Sequence, residues 1–95
     1  MPALQIDFED GFAGDTVVVT AGGRELWRGD ALSTNPAVSL AAVASVEVDE
    51  HAVLEVAVPD RGLRESWPVD APFLRVELAG GRLLLQPSRE RPLHL

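Results

Sequence analysis

Four carboxylates near the start of the chain are the first residues whose spacing could support chemistry. Asp7, Glu9, Asp10 and Asp15 lie around a turn that contains two glycines. Calcium takes about six to eight oxygen ligands, and loops rich in Asp and Gly supply them. The spacing does not match the helix–loop–helix calcium motif. We expect Asp7 and Glu9 to share the solvent face of a strand, and a weak cation site is the alternative.

The histidines and serines form no catalytic motif. His51 closes an Asp-Glu-His turn, His94 lies near the C-terminus, and the chain has no cysteine. Three consecutive residues of a tight turn cannot all point at one metal ion. No Gly-x-Ser-x-Gly sequence and no glycine-rich phosphate-binding motif is present. We therefore expect a protein that is not an enzyme and holds no cofactor, with a small hydrolase or metal-dependent enzyme as a less favoured alternative.

Four large apolar residues are the candidate binding residues. Trp27 and Trp67 are the chain's two tryptophans, and an exposed tryptophan can stack on a sugar ring or anchor a protein partner. A core position is the alternative for each. Because neighbouring residues of a strand face opposite ways, Leu26 and Trp27 should not both reach the core unless the strand is covered on both sides. Phe73 and Leu84 occupy outward positions beside inward-facing leucines.

Apolar residues on both faces of several strands suggest a covering partner. A sheet in a two-layer protein hides one face, and monomers rarely expose large apolar patches. The leading hypothesis is a non-enzymatic protein-interaction or assembly module whose partner is another protein or a second copy in a homodimer. The alternative is a module that binds a carbohydrate or small ligand through exposed tryptophan.

An apolar–polar alternation with a period of two dominates the chain and predicts the elements that position these residues. Gly-Gly pairs at 22–23 and 80–81 predict tight hairpins. Residues 29–42 are irregular, and within them residues 32–37 predict a loop or crossover. The pattern indicates an all-β, antiparallel, two-sheet β-sandwich of seven or eight short strands, immunoglobulin-like or prealbumin-like, in one domain over residues 1–95. The strands are predicted at residues 3–9, 15–20, 24–28, 43–49, 52–58, 63–69, 73–78 and 82–87.

The charge balance argues against two classes of partner. Fifteen acidic residues against eight arginines give a net charge of −7. A general nucleic-acid binder or a protein that docks on anionic lipid needs a basic surface, so neither partner is expected. The sequence shows no secretion signal and no apolar run of membrane-spanning length, and the absence of cysteine fits a reducing compartment. We expect a cytoplasmic protein.

Overall fold

Eight β-strands make up most of the chain in the computed structural model, which describes residues 3–92. A short 3-10 turn spans Pro59–Arg61, and residues 3–92 contain no α-helix. The predicted all-β class and the number of strands are confirmed. The strands are β1 Ala3–Phe8, β2 Ala13–Ala21, β3 Arg24–Ser33, β4 Ala42–Glu47, β5 Val53–Val58, β6 Leu63–Pro68, β7 Phe73–Ala79 and β8 Arg82–Ser88.

The strands form two four-stranded sheets, in the orders β4-β1-β7-β8 and β3-β2-β5-β6. Five of the six strand pairings are antiparallel, as predicted, but β1 and β7 run parallel, with Ile6 beside Leu74. The prediction of purely antiparallel sheets is therefore wrong for this pair. Parallel neighbours are joined by a long crossover, and the alternation within one strand contains no information about which distant strand lies beside it.

Inward-facing residues from both sheets belong to one hydrophobic cluster. Ile6 and Phe8 of β1, and Val56 of β5, are fully buried. Burial of one such side chain contributes about 1.5–3 kcal/mol. The shared cluster therefore holds the strands with their alternation in a fixed register, because a slip of one residue would expose the apolar set.

A β-bulge in β3 changes the predicted placement of Leu26 and Trp27. Val19 pairs with Trp27 while the next residue, Thr20, pairs with Glu25, so Leu26 is an extra residue on β3. Both Leu26 and Trp27 are half-buried and pack against the core. The expectation that one of them would lie outside the core is wrong, because a bulge puts two consecutive residues opposite one and disturbs the alternation.

The prediction that β3 ends at residue 28 and is followed by an irregular stretch is wrong, because the strand continues to Ser33. A further irregularity explains the missing alternation: Val17 pairs with Gly29, and Asp15, two residues earlier on β2, pairs with Leu32, three residues later on β3. Ala31 absorbs the extra residue at φ 54°. Leu32 is buried against the core, so the strand continues although its sequence does not alternate regularly.

Glycine is required most strictly at Gly11, where the chain passes close to β7. Its φ is 94°, and a Cβ built there would overlap the Leu78 carbonyl. The neighbouring Asp10 carbonyl accepts the Leu78 N–H at 2.8 Å, which holds the two segments together. Gly14 also has a positive φ, 72°, but a Cβ there would meet open space.

We predict that Gly11→Ala destabilises the fold much more than Gly14→Ala. An alanine in the left-handed region costs about 1–2 kcal/mol at either position, and at Gly11 the steric overlap with Leu78 is added. Urea denaturation of both variants measures the difference in the free energy of unfolding. Equal losses for the two variants would show that the Gly11 segment can move away from β7 without penalty.

Candidate functional site

A groove of about 570 Å³ lies between β6 and β8, the edge strands of the two different sheets. Its walls are residues 63–67 and 81–85. Trp67 and Leu83 are buried beneath it, and Leu63 and Leu85 are half-buried. The groove therefore has an apolar floor between two strand edges.

The β8 edge directs backbone hydrogen-bonding groups into this groove. Leu78 of β7 stands opposite Leu83 but donates its N–H to the Asp10 carbonyl, away from β8. The pair is therefore a non-hydrogen-bonded pair of the antiparallel ladder, and Leu83 turns its own N–H and C=O away from β7. Because the directions of these backbone groups alternate along a strand, the N–H and C=O of Leu85 and the C=O of Pro87 also point away from β7.

The β6 edge has the same organisation. Val69, the residue after β6, donates its N–H to the Ala52 carbonyl at 2.9 Å, so it faces the preceding strand β5. The β5–β6 register is uninterrupted. Since backbone directions alternate along the strand, the backbone groups of Arg64, Ser66 and Pro68 point away from β5. The proline of this strand, like Pro87 of β8, stands where its missing N–H removes no ladder hydrogen bond.

Four backbone amides, those of Arg64, Ser66, Leu83 and Leu85, thus point from the two edges toward the groove. None has an acceptor within residues 3–92. Unpaired amides and carbonyls on an edge strand are the groups that an added strand pairs with. The arrangement can bind an extended polypeptide by main-chain hydrogen bonds.

Glu65 places a carboxylate on the core-side face of β6. It stands opposite the fully buried Val56 and shares its face with Leu63 and Trp67, since side chains alternate along a strand. Its position at the sheet edge leaves it exposed. No arginine forms an ion pair with it in the part of the chain that the structure describes.

The two arginines that line the groove, Arg64 and Arg82, do so from the outer faces of their strands. Arg64 approaches Glu55 at 3.4 Å on the outer face of its sheet, with 71% of its side chain exposed. A pair this exposed contributes about 0–1 kcal/mol. Arg82 is the first residue of β8, and its side chain lies on the same outer face of the strand as that of Leu84. Both side chains therefore start on the face opposite to Leu63, Glu65 and Trp67 and contribute to the rim of the groove.

The acidic cluster predicted as a surface or a weak cation site is largely buried. Asp7 and Glu9 are 2% and 7% exposed, so the expectation of a solvent face is wrong for both. The Arg75 Nε lies 3.0 and 2.9 Å from the two Glu9 carboxylate oxygens, and the Gln5 amide donates to Asp7 at 2.9 Å. β1 is a central strand of its sheet, which the local sequence could not indicate.

Asp15 and Asp10 are arranged differently. Asp15 is buried and accepts two hydrogen bonds from Arg61, at 2.8 and 3.0 Å, and one from the Ala13 amide at 2.9 Å. Asp10 is exposed and uses its backbone carbonyl toward Leu78. Within residues 3–92 no group of three or more histidine or acidic residues could hold a metal ion. The calcium hypothesis therefore supports no proposal.

The four candidate binding residues occupy different places. Trp67 is 7% exposed and lies with Leu84, which is 38% exposed, in the lining of the groove. Trp27 stacks on Phe8, with ring centroids 4.9 Å apart and planes at 14°. Phe73 is half-buried and does not line the groove. The structure thus brings two of the four together and turns both tryptophans toward the core.

Sequence reasoning missed the residues that define the groove, chiefly Glu65, Ser66, Leu83 and Leu85. One indication was present in the sequence, because Glu65 interrupts an otherwise apolar strand face. His51 is exposed at φ 62° and lines a separate cavity of about 490 Å³. His94 lies outside the described residues.

Comparisons with known proteins leave the function to be argued from these residues. No protein-family model, curated protein or solved structure matches the chain. Across residues 3–92, no helix has the length and apolar character needed to cross a membrane.

The Asp15–Arg61 pair predicts a specific pH dependence of stability. Hydrogen bonds from Arg61 lower the pKa of Asp15, against the opposing effect of burial. A carboxyl whose pKa is lower in the folded state contributes stability above its unfolded pKa of about 3.9, and that contribution is lost as pH falls through the lower folded pKa. We expect Asp15→Asn to be less stable than the wild type at pH 7 and the difference to shrink below pH 4, in urea denaturation at a series of pH values.

Asp10→Asn is the control, since the Asp10 side chain is exposed and near the same turn. It should lower the free energy of unfolding little at any pH. A stability difference for Asp15→Asn that stays constant from pH 7 to pH 2 would contradict the role assigned to the Asp15 carboxylate.

Proposed function

We propose that this chain is a non-enzymatic protein-interaction module that binds an extended segment of a partner in the groove between β6 and β8. The observation that supports the proposal is the pair of sheet edges whose free amides, at Arg64, Ser66, Leu83 and Leu85, face one apolar floor. Main-chain hydrogen bonds provide affinity in this binding mode, and pockets for alternate side chains provide specificity.

We propose further that the two sheets stack as a β-sandwich of the immunoglobulin-like or prealbumin-like kind. Two observations support this arrangement. Residues of both sheets share one buried cluster, and β6 approaches β8 while β3 approaches β4. In such a sandwich the β6 and β8 edges lie along one side, and an added strand extends a sheet without opening the core.

A protein ligand is favoured over a carbohydrate by the environment of the tryptophans. A sugar platform needs an exposed indole face. Trp67 is 7% exposed, and Trp27 is half-buried with one face against Phe8. The free backbone groups, by contrast, are suited to a polypeptide.

A protein partner other than a second copy is favoured by the exposed surface. The large apolar side chains exposed among residues 3–92 are Val43, Val53 and Leu84, on three separate strands. They do not form the contiguous patch that a permanent homodimer interface requires. The charge of −7 supports a partner that is neither nucleic acid nor anionic membrane, and we propose a cytoplasmic location because the chain has no cysteine.

A peptide experiment tests the groove as the binding site. A phage-displayed library of unstructured peptides is selected against the wild type, and the tightest peptide is synthesised as the probe. We expect it to slow hydrogen exchange at groove-facing amides of β6 or β8, measured by NMR, because an added strand supplies their missing acceptors.

Two matched single substitutions test whether side chains of the groove contribute to binding of the same probe peptide. Leu84→Asp changes the groove lining, whereas Val53→Asp changes an apolar residue on β5 that is outside the groove and at least as exposed, 53% against 38%. We expect Leu84→Asp to weaken the probe at least tenfold and Val53→Asp to leave its affinity within about twofold. Protection confined to β3 or β4 amides, or equal effects of the two variants, would place the binding surface elsewhere.

Light scattering tests self-association and the cation hypothesis together. We expect a mass near the 10.2 kDa of one chain, unchanged by calcium or by a chelator, because the exposed apolar residues are scattered and Glu9 and Asp15 pair with arginines. A dimer insensitive to the chelator would support an assembly role instead, and a calcium-dependent change would return attention to the acidic cluster.

A further inference from the structure

We infer that the partner segment is a basic extended strand that pairs with the β6 edge and places a lysine or arginine opposite Glu65. The inference rests on the proposed function and specifies the occupant of the groove. It is drawn from the direction of the β6 backbone groups, the position of Glu65 on the apolar floor, and the charge of the chain.

The β6 edge fixes where an incoming residue meets Glu65. Arg64 and Ser66 direct their N–H and C=O groups outward, so they form the main-chain hydrogen bonds to an added strand. Glu65 lies between them at a non-hydrogen-bonded position, where directly opposed residues of antiparallel strands are closest, with Cα atoms about 4.5 Å apart. Opposite charges at such a cross-strand pair are favourable and like charges are unfavourable.

The surroundings of Glu65 favour a long cationic side chain with apolar neighbours. Leu63 and Trp67 lie on the same face two residues away in each direction, and Leu83 and Leu85 line the opposite wall. A lysine or arginine can lay its aliphatic stem on these residues while its charged end reaches the carboxylate. Inward residues of the partner two positions from the cation would meet Leu63 and Trp67, and are therefore apolar.

Charge complementarity at the floor selects a basic segment over a second copy of the chain. Of the three charged residues that line the groove, Glu65 is the one on the core-side face, whereas Arg64 and Arg82 line it from the outer face of their strands. The whole chain carries −7, which accelerates encounter with a basic partner. A second copy would bring the same negative charge, and an antiparallel β6–β6 pairing centred on Glu65 would oppose two carboxylates.

The test uses two synthetic nine-residue peptides and the full chain. Both alternate valine and threonine and have blocked ends; one carries lysine at the central inward position and the other glutamate. We expect the lysine peptide to bind the wild type about five- to tenfold more tightly at low salt, with a smaller ratio at 0.5 M salt. NMR titration measures both affinities and should show protection of the Arg64 and Ser66 amides.

Four variants separate the side-chain pair from the backbone pairing. Glu65→Lys should reverse the preference, and Glu65→Gln should abolish it while both peptides still bind. Ser66→Pro removes an outward N–H that no ladder bond of the free protein uses, and should weaken both peptides at least tenfold. Ser66→Ala keeps that N–H and should bind both peptides as the wild type does.

The outcomes distinguish this inference from the proposed function. Equal affinity of the wild type for the two peptides, preference for the glutamate peptide, or unaffected binding by Ser66→Pro would overturn the basic segment at β6. Binding of the library-selected peptide in the groove would then leave the proposed function standing. If neither these peptides nor a selected one protects groove amides, the proposed function fails too, and β6 protection in a peptide-free dimer would identify a second copy as the occupant.

Discussion

Burial of the inward strand faces in one shared hydrophobic cluster is the constraint on which the rest of this structure depends. A period-two side-chain pattern allows each strand a single register that keeps its apolar set inside. Once the eight registers are fixed, strand order decides which edges stay open. The groove between β6 and β8 follows from this burial, because both strands contribute buried residues, Trp67 and Leu83, and have no neighbour on their free sides among residues 3–92.

The sequence predicted the elements of this fold better than their arrangement. Strand positions and the two Gly-Gly hairpins follow from local chemistry, and Gly22, Gly23, Gly80 and Gly81 all have the positive φ that such turns need. The parallel β1–β7 pair depends on contacts between residues about 70 positions apart in the chain. At the Leu26 bulge Trp27 stacks on Phe8, a contact that strict alternation along β3 could not reveal.

The candidate site was less predictable because it consists mainly of backbone. Which amides face a free edge depends on strand order and on the phase of the ladder, and neither can be read from side-chain type. The acidic residues show the same limit in another form. Glu9 and Asp15 suggest a surface or a cation site when only their neighbours in sequence are considered, but Arg75 and Arg61, distant along the chain, provide their positive partners.

The features that protect these edges also define what could bind to them. Prolines at outward positions and charges that point inward are common means of preventing uncontrolled edge-to-edge pairing, and Pro68, Pro87 and Glu65 fit this description. Each proline ends the run of outward N–H groups on its strand, so an added strand finds two donors on β6 and two on β8 rather than an unlimited ladder. In the proposed binding mode Glu65 would discriminate by charge, because an uncharged or acidic strand would leave its carboxylate without a partner over an apolar floor, whereas a basic strand would provide one. On this proposal, protection against self-association and selection of a basic partner would be two consequences of the same residues.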